Sequence, residues 1–234
     1  MTGSVVSPAM RQRVRDLAIP VARALGRLGL TPNALTLIGF LGTCVAAYAA
    51  ASQAWLIAGV LALVFGIFDL FDGTLARATG KVTKFGAFLD STLDRAGEAI
   101  VYLGIAWGVY WSWPEGSVLA AAAMAAGFMV SYTRAKAESL GFSPGTGLAN
   151  VGLAPREVRL AILAMGLIAV GVEGGHISQY IDCDVPIELL QACWDAAHHV
   201  SRTILELTLG LITILATITA IQRILHVRAQ SSEG

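Results

Sequence analysis

Six long runs of apolar residues constrain this chain more than any other feature of it. They are Ala34–Ala50, Ala54–Ala76, Ala87–Trp111, Ser117–Ala137, Leu160–Val172 and Ile204–Ile224. A bilayer's hydrocarbon core is about 30 Å thick and a helix rises about 1.5 Å per residue, so a span needs about 20 mostly apolar residues. The fifth run is the weakest, because Arg159 and Gly171 leave it little more than half of that length. Composition agrees with membrane spans: 56% of the 234 residues are hydrophobic, 14% are charged, and the mean hydropathy is +0.68. Soluble domains are roughly a quarter charged. A cytosolic enzyme, a disordered tail and a nucleic-acid-binding protein are not expected on that arithmetic. The expectation is an all-α integral membrane protein with six transmembrane helices and no nucleic-acid partner. Three cysteines, Cys44, Cys183 and Cys193, are too few for a disulfide scaffold or a thiolate zinc site. A signal peptide is not expected, since a long polar segment precedes the first run and further spans follow it.

Sixteen basic residues balance sixteen acidic ones, but the two signs are sorted along the chain. Arg11, Arg13, Arg15, Arg23 and Arg27 precede span one, and Arg77, Lys81 and Lys84 separate spans two and three. Arg134, Lys136, Arg156 and Arg159 surround the connection between spans four and five, and Arg223 and Arg228 end the chain. With six spans these regions share one side, while the opposite loops carry Glu115, Glu173, Asp182, Asp184, Glu188 and Asp195. The excess of positive charge marks the cytoplasmic face. Both termini are therefore expected in the cytoplasm, with the protein multi-pass in the cell (inner) membrane.

Outside the spans, residues 1–30 read as a cytoplasmic juxtamembrane segment. Val14, Leu17, Val21, Leu25 and Leu28 recur at helical spacing with arginines on the other face, the pattern of an interfacial amphipathic helix on anionic headgroups. Residues 31–228 form the six-helix domain and 229–234 a cytoplasmic tail. Ser139–Pro155 is a Gly/Pro-rich cytoplasmic loop. Residues 173–202 read as an outer loop in which Ile187–Val200 has the pattern of a short amphipathic helix. Asp195, His198 and His199 there are read as solvated, and Cys183 and Cys193 leave a disulfide open on an oxidising side.

The informative segment is FDLFDGTLARATGKVTKFGAFLDSTLDR, residues 68–95. Asp69 and Asp72 share one face near the end of span two, and Asp90 and Asp94 share one face at the start of span three. A nine-residue turn, Arg77 to Phe85, puts both pairs at one membrane depth. Gly73, Ala76 and Gly86 on the same arcs allow close approach of helices or a ligand. Each carboxylate within a membrane costs about 2.5–3.5 kcal/mol, so four cost on the order of 10 kcal/mol before repulsion. Arg77 and Arg95 are the only basic residues nearby within the helices. Hard divalent cations offset the charge better, since Mg²⁺ binds carboxylates and shares its shell with substrate phosphates. Two such ions suit the clamping of attacking and leaving oxygens in phosphoryl chemistry. One aspartate alone reads as hydrated at the headgroup boundary; four in two phased pairs do not.

The segment resembles the signature D-x2-D-G-x2-A-R-x8-G-x3-D-x3-D of the CDP-alcohol phosphotransferase family. Asp69, Asp72, Gly73, Ala76, Arg77, Gly86, Asp90 and Asp94 occupy every fixed position. LTPNALTLIG (residues 30–39) is similar to the family's Pro-Asn motif at span one, and the outer loop is longer than usual there. The resemblance implies metal ligation by Asp69, Asp72, Asp90 and Asp94, with Asp94 also the general base. It implies two Mg²⁺ ions, with Mn²⁺ as an alternative, and a homodimer. It assigns CDP-diacylglycerol to Pro32, Asn33, Ala34, Leu35, Gly73, Arg77 and Thr83. The implied reaction moves the phosphatidyl group of CDP-diacylglycerol to an alcohol and releases CMP.

SYTRAKAESLG (131–141) and APREVR (154–159) resemble the matching stretches of phosphatidylinositol-phosphate synthases. Arg134, Lys136, Arg156 and Arg159 are thereby expected to hold an acceptor phosphate, inositol 1-phosphate ahead of glycerol 3-phosphate. The plainer reading is that they are topology signals. A transporter is the alternative from a different class, but transporter acids favour the bilayer midplane, and these lie beside a basic turn. In a prenyltransferase the two acidic motifs would be widely separated, whereas here one hairpin carries both.

Overall fold

The computed structural model describes residues 19–142, 152–180 and 187–231, apart from the side chains of 69, 70, 174–180 and 187–198. The described residues are helical and contain no strand. Helix α1 is described over residues 19–27, and α2 (Pro32–Ala51), α3 (Trp55–Ala78), α4 (Lys84–Val109), α5 (Pro114–Ser139), α6 (Arg156–Tyr180) and α7 (Ile187–Ser231) follow. Among the described residues, four stretches are long and apolar enough to cross a bilayer: Pro32–Ala51, Trp55–Ala78, Pro114–Ser139 and His199–Ser231. The third and fifth expected spans, α4 and α6, are as long, but they begin with charged turns: Asp90, Asp94, Arg95 and Glu98 in α4, and Arg156, Glu157 and Arg159 in α6.

Local chemistry sets the helix starts. The Thr31 hydroxyl accepts from the Ala34 amide at 3.2 Å, and Pro32 follows in the first turn, where its missing N–H costs nothing. The Pro-Asn motif is thus the opening of α2. The Thr83 hydroxyl caps α4 in the same way, accepting from the Gly86 amide at 2.9 Å. Gly80 breaks the chain between α3 and α4 with φ +65°, a conformation favouring glycine. Helix therefore extends to Ala78 and resumes at Lys84, which shortens the expected Arg77–Phe85 turn.

Helix α2 packs on both α3 and α4, α3 on α6, α6 on α7, α7 on α5, and α5 on α4. The central core joins Ala47 and Ala50 to Tyr102, Ile105, Leu167, Leu209 and Ile212. Gly104 and Gly108 of α4 face the backbone of Ala47 and Ala50 with no room for a β-carbon, so small residues bring these helices together as membrane helices commonly require. Helix α1 docks through Ala22 onto Leu35 and Leu75, while Val21 and Leu28 of its expected apolar stripe are exposed. Val14 and Leu17 of that stripe lie outside the described residues.

The expected outer loop is in large part helix. Helix α6 continues through Tyr180, and residues 187–200 open the 45-residue α7 rather than forming a separate short helix. Helix α6 is correspondingly longer than its apolar run suggests. A pairing of Cys183 with Cys193 lies outside the described residues, as do the Asp195 and His198 side chains and most of the 139–155 connection.

Candidate active site

Two cavities open beside the acidic hairpin and share Asp90 as a wall. The smaller, about 260 Å³, lies between the start of α2 and the α3–α4 hairpin. Pro32, Asn33, Thr36, Asp72, Gly73, Arg77, Thr83 and Gly86 are among its walls. Five of the seven residues expected to meet the nucleotide are therefore brought together: Pro32, Asn33, Gly73, Arg77 and Thr83. Ala34 and Leu35 are not. Leu35 is 1% exposed and turns instead onto Ala22 and Leu75, and Ala34 lies on the side of α2 away from the 32, 33 and 36 arc. A β-carbon at Gly86 would stand 3.0 Å from Thr83 Oγ1 and 3.2 Å from Asn33 Oδ1. Glycine there keeps the pocket open.

Asp72 is 4% exposed, and the Thr36 hydroxyl donates to its Oδ2 at 2.6 Å. Its Oδ1 accepts from the Gly73 amide. These two bonds fix the orientation of the carboxylate. Thr36 was not singled out from sequence, although it follows Pro32 by one helical turn and so shares its face.

The larger cavity, about 800 Å³, has walls from α4, α5, α6 and α7. Asp90 and Asp94 line it together with Arg95, Arg134, Arg156, Arg159 and Arg223. Arg156 Nη1 lies 2.9 Å from Asp94 Oδ1. Arg134 lines the cavity and pairs with Glu138 at 2.8 Å. Lys136, two residues on, is exposed and does not line it.

Arg159 is placed differently from the expectation of a phosphate ligand. It is 1% exposed, and its Nε and Nη2 fork onto Glu98 at 3.0 and 2.7 Å, while Nη1 donates to the Ala154 carbonyl at 3.0 Å. Three residues along α6 carry it about 4.5 Å deeper than Arg156. Arg223, read from sequence only as a topology signal, is buried at 4% and donates to the Val130 carbonyl. No spacing rule links residue 223 to residue 94; only the docking of α7 on α5 does.

Asp72, Asp90 and Asp94 offer oxygen donors alone, which suits a hard divalent cation. Among the described residues no three such side chains surround a single point, and the Asp69 side chain lies outside them. The donor chemistry fits such an ion at the hairpin, where Asp90 joins the two cavities.

The family model described as CDP-alcohol phosphatidyltransferase matches residues 29–192. An archaetidylinositol phosphate synthase of Pyrococcus horikoshii is 39% identical over 71% of this chain and 84% of its own length. A phosphatidylinositol phosphate synthase of Cutibacterium acnes is 36% identical over 89% of this chain and 91% of its own. Crystal structures of the Mycobacterium tuberculosis phosphatidylinositol phosphate synthase are also similar, at 27% identity. The form with CDP-DAG bound has a TM-score of 0.68 and covers 91% of this chain and 94% of that one. The form with manganese and citrate has a TM-score of 0.69, covering 90% and 88%. With the eight signature positions on one hairpin and the match spanning most of the helical frame, the chain belongs to the CDP-alcohol phosphatidyltransferase family.

Proposed function

We propose that this chain transfers the phosphatidyl group of CDP-diacylglycerol to inositol 1-phosphate and releases CMP. The observation that carries this reading is the pair of unlike cavities meeting at Asp90. One is small, glycine-edged and bounded by Arg77; the other is three times larger in volume and ringed by arginines. A diphosphate and a phosphorylated alcohol need such separate chambers with a common reacting point. Relatives named for inositol phosphate lipids support the choice of acceptor.

In this reading Pro32, Asn33, Gly73 and Thr83 hold the cytidine end, and Arg77 meets the diphosphate. Arg156, Arg134 and Arg223 hold the acceptor phosphate, with Lys136 left at the periphery. Arg159 acts behind them, through Glu98. The acceptor hydroxyl, turned toward α4, gives its proton to Asp94 and forms a bond to the β-phosphorus. The bond from that phosphorus to the bridging oxygen breaks, and CMP leaves with the oxygen. Asp69, Asp72, Asp90 and Asp94 would hold two Mg²⁺ ions, or Mn²⁺, whose charge would stabilise the phosphoryl oxygens.

The same reading has six spans, with α4 and α6 crossing the membrane and their charged first turns at the cytoplasmic face. Their charges then meet headgroups and water rather than hydrocarbon. The active site and both termini lie on that side, α1 rests in the interface with Val21 and Leu28 toward lipid, and the protein is a homodimer. A CMP-release assay in which purified protein receives CDP-diacylglycerol and inositol 1-phosphate, glycerol 3-phosphate, free inositol or serine tests the function. Release with inositol 1-phosphate well above the others is expected. Equal or greater release with an unphosphorylated alcohol would overturn the acceptor assignment.

A further inference from the structure

Two ion pairs cross from α4 to α6 one helical turn apart. Asp94 and Glu98 are four apart on α4, and Arg156 and Arg159 are three apart on α6, so each set shares a face. The outer rung, Asp94–Arg156, is 2.9 Å long with its side chains 15% and 25% exposed. The inner rung, Glu98–Arg159, is 2.7 Å long, and its side chains are 12% and 1% exposed. Arg95 stands beside both, 3.8 Å from Asp94 and 3.4 Å from Glu98.

The inner rung is built more tightly than an incidental pair. Arg159 forks onto both Glu98 oxygens and also holds the Ala154 carbonyl just before α6. The amides of Leu153 and Ala154 donate to the fully buried Thr219 hydroxyl at 3.1 and 3.0 Å. The approach to α6 is therefore fixed at both its N–H and C=O groups, immediately before Arg156. Gly127 of α5 completes the setting: a β-carbon there would fall 3.0 Å from Glu98 Oε1 and 3.3 Å from Arg159 Nε.

We propose that the buried Glu98–Arg159 pair is a positioning device that sets Arg156 over Asp94 for the acceptor phosphate. A forked guanidinium–carboxylate contact fixes rotation as well as distance. Fixing α6 one turn deeper leaves Arg156 little freedom to stray from the cavity. Arg159 stands at the inner edge of the cavity, 1% exposed, with its guanidinium engaged by Glu98 and the Ala154 carbonyl. The pair thus controls acceptor binding without contributing a direct bond to it. This rests on the functional reading above for what the cavity binds, though not for where α6 begins.

The test uses the full-length protein in detergent with lipid. Removing one partner leaves a buried charge alone and threatens folding, whereas replacing both by apolar residues of similar size is commonly tolerated. The key variant is accordingly E98M/R159M, with R159K alongside it. Monodispersity and CDP-diacylglycerol affinity establish that each variant is folded. Expected for E98M/R159M is an inositol 1-phosphate KM raised about tenfold, with the CDP-diacylglycerol KM within about twofold. R159K, which keeps the charge and loses the fork, should shift the same KM in the same direction. Backbone hydrogen exchange at residues 156–160 should quicken in the double variant whether or not substrate is present. A folded double variant with unchanged acceptor KM and unchanged exchange would overturn the proposal, as would equal rises in both KM values. Should the wild type ignore phosphorylated alcohols, the functional reading fails, and the exchange result alone decides the positioning role. Faster exchange confined to the start of α6 would uphold it, and unaltered exchange would end it.

Discussion

The two cavities beside Asp90 differ in how they are made. The smaller is assembled from one hairpin and the start of α2, so its walls come from residues 32–36 and 72–90. The larger takes its walls from α4, α5, α6 and α7, from residue 90 to residue 223. The first is bounded by glycines, a helix cap and one arginine; the second is bounded by five arginines and four carboxylates. On the proposed assignment, the site for the cytidine diphosphate is written mostly into one short stretch of chain, and the site for the acceptor is spread over four helices.

Both cavities meet at the acidic hairpin, where they share Asp90, so the largest expected effects abolish the distinction. Chelation with excess EDTA should reduce CMP release to background, with recovery on adding Mg²⁺ or Mn²⁺, because the hairpin's oxygen-only donors suit such an ion and phosphoryl transfer uses its charge. Full turnover in EDTA would break the metal-dependent reading. Asp94→Asn should lower turnover by about 10²–10⁴-fold, the usual worth of a positioned base, with CDP-diacylglycerol binding largely kept. Near-normal turnover in that variant would remove Asp94 from its role.

The next effects should separate the cavities. Arg156→Ala should raise the acceptor KM about ten- to a hundredfold, since a charge-assisted bond contributes about 1.5–3 kcal/mol. The CDP-diacylglycerol KM should hardly move. A change confined to the CDP-diacylglycerol term would exchange the assignments of the two chambers. Gly86→Ala should do the reverse and raise the CDP-diacylglycerol KM by roughly tenfold, as overpacking by one methyl costs about 1–3 kcal/mol. Its added carbon presses on Thr83 and Asn33, well away from Arg156. The smallest effect is expected at Lys136→Ala, which should leave both KM values within about twofold, as surface substitutions usually do. A tenfold rise in acceptor KM there would show that the α5 cations act together, against the separation of Arg134 from Lys136.

How far the sequence was legible follows from the same contrast. Spacings of three and four place Asp69 with Asp72 and Asp90 with Asp94, and Pro32 and Thr83 mark helix starts by their own chemistry. Hydrophobic length gave α2, α3 and α5 close to their observed bounds. It underestimated α6 at both ends, because Arg156, Glu157 and Arg159 make its first turn polar and residues 173–180 are largely polar or glycine while the backbone remains helical. It also separated residues 187–200 from α7, since a polar stretch need not end a helix.

What the sequence by itself determined is therefore local: the membrane-type composition, the acidic hairpin, the arc of small residues beside it and the family these imply. Helical periodicity and span length operate within one element and need no partner. Tertiary structure alone decided the rest. It turned Arg159 inward onto Glu98 while leaving Arg156 on Asp94, set Thr36 on Asp72, and brought Arg223 into the arginine-lined cavity. These are contacts between helices far apart in the chain. Their partners are chosen by how α2, α4, α6 and α7 pack, and no spacing along one helix encodes that.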